Sequence, residues 1–274
     1  MNGVVSVNWL NQNLNDENLL ILDASITAVS DESSIDWNHN TIPHSRYFDL
    51  KHNFSDENSR FPNMLPSPEK FELEARKIGV NNNSKIVIFD NKGIYSSPRV
   101  WWMFKIMGHK EVYVLNGGLP EWKSNEFYTE KRKTEQFRMG DFKVNFQLKN
   151  VKTYEDVLEN IFHPSFLIID ARSKGRFIGK EKEPRKGLKS GSIPNSVNLP
   201  YQEVLKDGKF KSKLEIIEIF KNLIGTKSEL VFSCGSGLTA CVVMLAYEIA
   251  INECKQIYDG SWTEWAEKQN LKII

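Results

Sequence analysis

The feature that most constrains the fold of this chain is an internal duplication. Four segments of the first half recur in the second half, in the same order and at offsets close to half the chain length. The paired segments are residues 19–24 and 166–171, 41–45 and 192–196, 85–90 and 229–234, and 114–122 and 257–265. Solenoid repeats have periods of roughly 20 to 50 residues, much shorter than this one, so we predict two copies of one domain.

Within each half, short runs of Ile, Val and Leu alternate with helical patterns. The clearest predicted strands are residues 19–23, 85–89 and 112–115, and the clearest predicted helices are residues 67–78 and 98–107. Continuous apolar strands separated by helices are typical of a parallel sheet that is covered on both faces. We therefore predict an α/β fold with helices on both faces of each sheet.

The domain boundaries are predicted from a change in composition near the middle of the chain. Residues 130–135 are almost all charged, and residues 142–148 alternate apolar and polar side chains. A solvated linker that ends in a half-buried strand fits this pattern. We predict domains at residues 1–135 and 151–274, joined by a linker at residues 136–150.

Composition excludes several classes of function. The chain has 36 basic and 35 acidic residues, which gives no reason to expect a nucleic acid or an anionic membrane as partner. No apolar run approaches the roughly 20 residues that span a bilayer. The three cysteines lack paired spacing, which argues against a disulfide framework and a zinc site and favours a reducing compartment. Because the first residues also lack a basic segment followed by an apolar core, we expect a soluble, cytoplasmic protein.

The candidate nucleophile is Cys234, which follows the apolar run 229–232 and precedes a helical pattern at 239–250. A cysteine at a strand-to-helix turn faces backbone N–H groups and the positive end of a helix, and both favour the thiolate. Gly235 and Gly237 allow the loop to curl so that successive amides point inward and bind an anion. A lone cysteine is more often a packing residue, but this context favours chemistry at the carboxyl end of a strand. Cys241, inside the helix, and Cys254, in a polar turn, fit the packing interpretation.

Duplication provides an internal control for this assignment. The first half has Asp90 where the second half has Cys234. Pro98 near the following helix start is well suited to a helix N-terminus, so the fold element is expected in both halves. Since a carboxylate cannot carry sulfur, we expect a catalytic second domain and a structural or pocket-forming first domain.

These segments resemble the two-domain rhodanese family of sulfurtransferases over nearly the whole chain, from about Val4 onward. The loop 234–240, Cys-Gly-Ser-Gly-Leu-Thr-Ala, is similar to that of the 3-mercaptopyruvate branch. The resemblance implies that Cys234 takes sulfur from 3-mercaptopyruvate, releases pyruvate and forms a persulfide. Thioredoxin, glutathione, another thiol or cyanide would then accept the sulfur, and no metal or organic cofactor is needed. The loop amides of Gly235, Gly237, Leu238 and Thr239 are expected to bind the substrate and the persulfide charge.

The donor is inferred from charge. Related thiosulfate-specific enzymes resemble this chain but carry basic residues beside the cysteine, whereas Gly235 and Ser236 are neutral here. A monoanionic keto acid needs a carboxylate clamp, which arginine supplies with two parallel hydrogen bonds. Arg176 and Arg185 match the family's substrate-binding arginines. Arg172, which follows a strand end, could equally hold the fold through a salt bridge.

The family resemblance also implies a proton relay of serine, histidine and aspartate beside the cysteine. Ser236 matches the serine and Asp49 matches the aspartate, but the histidine position is Asn63 here. Asparagine forms hydrogen bonds and does not titrate near neutral pH. We therefore expect Ser236 to position the departing carbonyl oxygen while water supplies the proton.

Other functions remain open from the sequence. A cysteine-based phosphatase would share the strand–loop–helix element, but it needs an arginine that closes the loop, where Ala240 and Cys241 stand. Thiosulfate:cyanide sulfurtransferase activity is the nearest enzymatic alternative. A non-catalytic persulfide relay would carry the same cysteine and differs only in lacking turnover of mercaptopyruvate.

Overall fold

The computed structural model describes residues 3–26, 40–132, 136–225, 229–253 and 255–270. The chain divides into two compact units. The first comprises Met1–Glu57, Leu65–Gln147 and Asp207–Phe210, and the second comprises Asn58–Met64, Leu148–Lys206 and Lys211–Ile274. The domain boundaries given above remain predictions; residues 136–147 of the predicted linker group with the first unit.

The strands of the first unit are β1 (Val4–Val5), β2 (Leu19–Asp23), β3 (Asn40–Thr41), β4 (Arg46–Tyr47), β5 (Lys85–Phe89), β6 (Val112–Leu115) and β7 (Glu130–Lys131), with β12 (Lys209–Phe210) from later in the chain. Five of them form a parallel sheet in the order β1-β6-β5-β2-β4. Its helices are α1 (Val7–Gln12), α2 (Pro68–Lys77), α3 (Ser97–Ile106) and α4 (Gly118–Ser124).

The strands of the second unit are β8 (Val151–Lys152), β9 (Leu167–Asp170), β10 (Ser196–Asn198), β11 (Leu205–Lys206), β13 (Leu230–Ser233) and β14 (Gln256–Tyr258). Five of them repeat the plan of the first sheet, in the parallel order β10-β9-β13-β14-β8. Its helices are α5 (Tyr154–Phe162), α6 (Lys174–Phe177), α7 (Lys213–Ile224), α8 (Thr239–Ile251) and α9 (Ser261–Asn270), with 3-10 turns at Leu148–Asn150 and Tyr201–Val204. Each strand of the second sheet occupies the place of its sequence counterpart in the first, as the duplication predicts.

Both faces of each central strand are buried, which explains the continuous apolar runs. In the second unit, Val231 lies in a core cluster with Val157 of α5 and Trp265 of α9. The next residue, Phe232, points to the other face, where its ring lies 6.4 Å from Phe220 of α7 and 6.1 Å from Tyr247 of α8. Side chains alternate between the faces of a strand, so a strand with a helix layer on each face needs apolar residues throughout. The predicted α/β class is confirmed.

The prediction of a strand near the middle of the chain is wrong. Residues 142–147 form no strand, although Phe142 is buried. The backbone N–H of Phe142 donates to the carbonyl of Val80, and that of Asn145 donates to the carbonyl of Met107. The segment therefore satisfies its backbone on residues that follow α2 and α3, without a partner strand. Among the described helices, none combines the length and apolar character required to cross a membrane.

Candidate active site

Cys234 lies directly after β13, the central strand of the second sheet, and its side chain is buried, with 1% of its surface exposed. From β9 the chain continues to β10, at one edge of the sheet. From β13 it continues to β14, which lies in the opposite direction along the sheet. Such a reversal opens a crevice at the carboxyl ends of the strands, where α/β proteins bind ligands. The five-residue loop 234–238 then enters α8, and Gly237 takes the left-handed conformation, with φ of +78°, that the tight turn requires.

The start of α9 holds this loop in place. The N–H of Cys234 donates to Ser261 Oγ over 3.3 Å, and the carbonyl of Cys234 accepts from the N–H of Trp262 over 2.9 Å. The carbonyl of Gly235 accepts from both the N–H and the hydroxyl of Thr263, over 3.1 and 2.7 Å. These bonds fix the backbone on which the Cys234 side chain stands. On the other side of the loop, Cys241 Sγ donates to the carbonyl of Gly237 over 3.3 Å.

The equivalent loop of the first unit surrounds the side chain of its own first residue with hydrogen-bond donors. The Asp90 carboxylate accepts hydrogen bonds from four backbone N–H groups and one hydroxyl, at 2.6 to 3.1 Å; the donors are Lys92, Tyr95, Ser96 and Ser97, the last through both its N–H and its Oγ. The carbonyl of Asp90 accepts from Leu119, just as that of Cys234 accepts from Trp262. The first copy therefore places a side-chain anion in a ring of amide donors at the position that Cys234 occupies in the second.

Arg176 lies against the cysteine loop and is paired with an acid. A side chain at Gly235 would bring its Cβ within 2.8 Å of Arg176 Nη2. Arg176 Nε and Nη2 donate to the Glu183 carboxylate, at 2.6 Å for the shortest contact, and the Glu183 side chain is only 3% exposed. Much of the Arg176 charge is therefore balanced before any ligand binds, and Nη1 is left without a protein partner among the described residues.

Arg185 is the cation of this site that has no carboxylate partner among the described residues. Its one hydrogen bond there runs from Nη1 to Thr263 Oγ1, over 3.0 Å. Burial lowers the pKa of Arg185 and the neighbouring Arg176 reinforces that shift, whereas the negative charges of a Cys234 thiolate, of Glu183 and of Glu267 oppose it. Arg185 therefore lies within electrostatic range of both Cys234 and Arg176, so the structure brings together three residues that the sequence singled out.

Arg172 serves the fold. Its side chain is fully buried, and it donates to Asp170, to Glu183 and to the carbonyl of Gly191. Its guanidinium also lies 4.3 Å from the ring centroid of Trp262. Burial raises the pKa of Asp170, and the hydrogen bonds from Arg172 oppose that rise. Because Arg172 bonds to Glu183 and Gly191, on either side of Arg185 in the chain, it stabilises the segment that carries Arg185.

The predicted relay residues belong to different units of the chain. Asn63 belongs to the second unit, and its Nδ2 donates to Ser236 Oγ and to the Ser236 carbonyl, each over 3.1 Å. Asp49 belongs to the first unit, where its carboxylate lies 2.9 Å from Nδ1 of His52, an exposed histidine. Asn63 thus contacts Ser236 as the family resemblance implies for a histidine, but it has no titratable proton.

Sequence reasoning missed Glu183, Ser261 and Thr263. The sequence identifies the segment 257–265 only as a repeat, although a loop that follows a strand is also typical of a site. Leu238 and Thr239 begin α8, in keeping with their expected place at the loop, and Ala240 and Cys241 leave no arginine to close it. Cys254 lies outside the described residues. No group of three or more His, Cys, Asp or Glu side chains in the described part of the chain is arranged to hold a metal ion.

Comparison with known proteins agrees with this geometry. The model of the Rhodanese-like domain matches twice, at residues 6–125 and 153–268. Thiosulfate/3-mercaptopyruvate sulfurtransferase 1, mitochondrial, of Arabidopsis thaliana is 36% identical over 98% of this chain and 77% of its own. The 3-mercaptopyruvate sulfurtransferase of Escherichia coli (strain K12) is 33% identical over 98% of this chain and 96% of its own. The crystal structure of the 3-mercaptopyruvate sulfurtransferase from Escherichia coli has a TM-score of 0.85 at 31% identity, covering 96% of this chain and 99% of that one.

Proposed function

Since the chain belongs to the rhodanese family, we propose that it is a sulfurtransferase that uses 3-mercaptopyruvate as its donor. Sulfur passes to Cys234 as a persulfide and then to a thiol or to cyanide, and pyruvate is released. The observation that carries this proposal is the buried Cys234 within electrostatic range of Arg185, whose guanidinium forms no salt bridge among the described residues. A nucleophile near a guanidinium that is not engaged by a carboxylate at hydrogen-bond distance suits a donor with one carboxylate.

In the first half-reaction the Cys234 thiolate attacks the sulfur of 3-mercaptopyruvate. The new S–S bond forms as the C–S bond breaks, and the electron pair of that bond leaves on the enolate of pyruvate. Arg185 and Arg176 Nη1 bind the donor carboxylate and hold its sulfur in line with Cys234. The loop amides stabilise the charge on the terminal persulfide sulfur, as amides stabilise an oxyanion.

Ser236 completes the site on the side of the departing enolate. Because Asn63 Nδ2 donates to Ser236 Oγ, the serine hydroxyl keeps its own proton to donate to the carbonyl oxygen of the donor. Water then protonates the enolate carbon. A pH–rate profile that requires a group other than the cysteine near pH 6.5 would contradict this assignment, because Asn63 cannot supply one.

In the second half-reaction an acceptor thiolate or cyanide attacks the outer sulfur of the persulfide. The S–S bond breaks, its electron pair returns to Cys234, and the thiolate is regenerated. We propose thioredoxin, glutathione or another small thiol as acceptors, with cyanide as a convenient substitute in the assay. The same thiol chemistry supports a reducing compartment such as the cytoplasm, which fractionation of the source cells would test.

The test is steady-state sulfur transfer to cyanide from 3-mercaptopyruvate and from thiosulfate, with Cys234→Ser as the blank. We expect a strong preference for 3-mercaptopyruvate that disappears in the variant. A preference for thiosulfate would establish the alternative donor and refute the charge argument. No turnover of either donor would refute the enzyme and leave the persulfide relay, which accepts its sulfur from a protein.

A further inference from the structure

The hydroxyl of Thr263 connects the cysteine loop to Arg185. Thr263 Oγ1 donates to the carbonyl of Gly235 over 2.7 Å and accepts from Arg185 Nη1 over 3.0 Å. The donation uses the single hydroxyl proton, so the oxygen lone pairs are turned toward the guanidinium. Thr263 is 2% exposed, so little water competes with either bond. Its backbone N–H also donates to Gly235, which fixes the position of the residue independently of its hydroxyl.

Arg185 depends on this bond because it has no other hydrogen-bond partner within the described part of the chain. An arginine side chain loses up to about 2 kcal/mol of rotamer entropy when it is held in one conformation. Arg176 is held by hydrogen bonds to the buried Glu183, whereas the hydrogen bond that Arg185 makes among the described residues goes to the Thr263 hydroxyl. Without that acceptor, the guanidinium is free to move away from Cys234 toward solvent.

The duplication supplies an internal comparison. The residue at the Thr263 position in the first copy is Pro120, which has neither a hydroxyl nor a backbone N–H. The preceding residue makes the same contact in both copies, from Leu119 to Asp90 and from Trp262 to Cys234. The shared contact belongs to the fold, and the Thr263 contacts belong to the copy that carries the cysteine.

We propose that Thr263 is a positioning residue that holds the Arg185 guanidinium beside Cys234 and so sets the affinity of the site for an anionic donor. Its link to donor affinity rests on the function proposed above. Its link to Arg185 does not, and two alkylating reagents test that part directly. Iodoacetate carries a carboxylate and iodoacetamide is neutral; both transfer a carbon to the thiolate sulfur and release iodide.

The measurement is the ratio of the two alkylation rate constants at Cys234, in protein with Thr263 replaced by Val or by Ser. Valine matches the shape of threonine and lacks the oxygen, whereas serine keeps the oxygen. We expect the iodoacetate-to-iodoacetamide ratio to fall about tenfold in Thr263→Val and to be retained in Thr263→Ser. The KM for 3-mercaptopyruvate should rise in the valine variant by a similar factor, with kcat changing much less.

A double variant separates positioning from folding. In an Arg185→Met background, Thr263→Val should leave the ratio unchanged, because there is no guanidinium to place. If Thr263→Val slows both reagents in equal proportion, Thr263 only anchors the loop and the proposal is wrong. An unchanged ratio in Thr263→Val also overturns it. Should the valine variant fail to fold, Thr263→Ala is measured in its place with the same expected fall. A lowered ratio in a protein without mercaptopyruvate turnover would uphold the positioning role and refute the proposed function alone.

Discussion

Replacing Arg185 by Met should reduce turnover of 3-mercaptopyruvate far more than it reduces stability. Methionine keeps the length and the apolar stem of the side chain and removes the charge. Arg185 makes one hydrogen bond and no ion pair among the described residues, so its loss should lower the free energy of unfolding by about 1 kcal/mol or less. The decrease in turnover of the folded variant then measures the loss of the contact between Arg185 and the donor carboxylate.

The size of the effect follows from the bonds that Arg185 is free to make. A guanidinium without a carboxylate partner can give a donor carboxylate two charge-assisted hydrogen bonds, each contributing about 1.5 kcal/mol or more. Their combined loss of about 3 kcal/mol corresponds to roughly two powers of ten in kcat/KM. Arg185→Lys keeps the charge but loses the planar fork, so we expect it to fall between wild type and Arg185→Met.

The assay is pyruvate release from 3-mercaptopyruvate, followed by its reduction with lactate dehydrogenase, across a range of donor concentrations. Urea unfolding of each variant confirms that the comparison is between folded proteins. A decrease in kcat/KM of less than fivefold for Arg185→Met would refute the reasoning. It would mean that Arg176 binds the carboxylate despite its pairing with Glu183, or that the donor lies elsewhere.

Three further predictions concern other residues. Arg176→Ala should raise the KM for 3-mercaptopyruvate at least about tenfold, since it removes the remaining donor of the clamp, and an unchanged KM in the pyruvate assay would exclude that role. Asp90→Asn should lower the free energy of unfolding by about 3 kcal/mol in urea, because an amide cannot accept all five hydrogen bonds that the carboxylate receives. Burial lowers the pKa of His109 below 6.5, so protonation favours the unfolded chain, and stability should fall as the pH drops below about 6.5. His109→Gln should remove that part of the decline, and the exposed His163→Gln should retain it.

The sheet strands could be predicted because burial on both faces demands unbroken apolar runs. Residues 19–23, 85–89 and 112–115 are strands at the predicted positions. The pattern at 142–148 failed because alternation reports only that one side of a segment is buried. Phe142 is indeed buried, but its segment bonds to carbonyls near the ends of two helices. Periodicity carries no information about whether a partner strand exists.

For the site, local sequence indicated the groups that carry charge and did not indicate how the charges are paired. The sequence of its own loop indicates that Cys234 is a nucleophile. Arg176 and Arg185 lie in the same polar segment, and the sequence does not distinguish their surroundings. Their difference comes from partners that only the fold provides: Glu183 for the first, and Thr263, 78 positions further along the chain, for the second. The structure pairs Arg176 directly with Glu183 and gives Arg185 no salt bridge among the described residues.

The two copies carry different side chains at the start of the same strand-to-helix loop. In the first copy, a carboxylate on the loop itself satisfies the ring of amides, so those amides have no capacity left for a ligand. In the second copy, a smaller side chain takes that place, and the neighbouring Glu183 balances the arginine nearest to the loop. Arg185, by contrast, forms no salt bridge among the described residues and donates to the hydroxyl of Thr263. We therefore expect the choice of donor to depend on how the two arginines are paired as well as on the residues beside the cysteine.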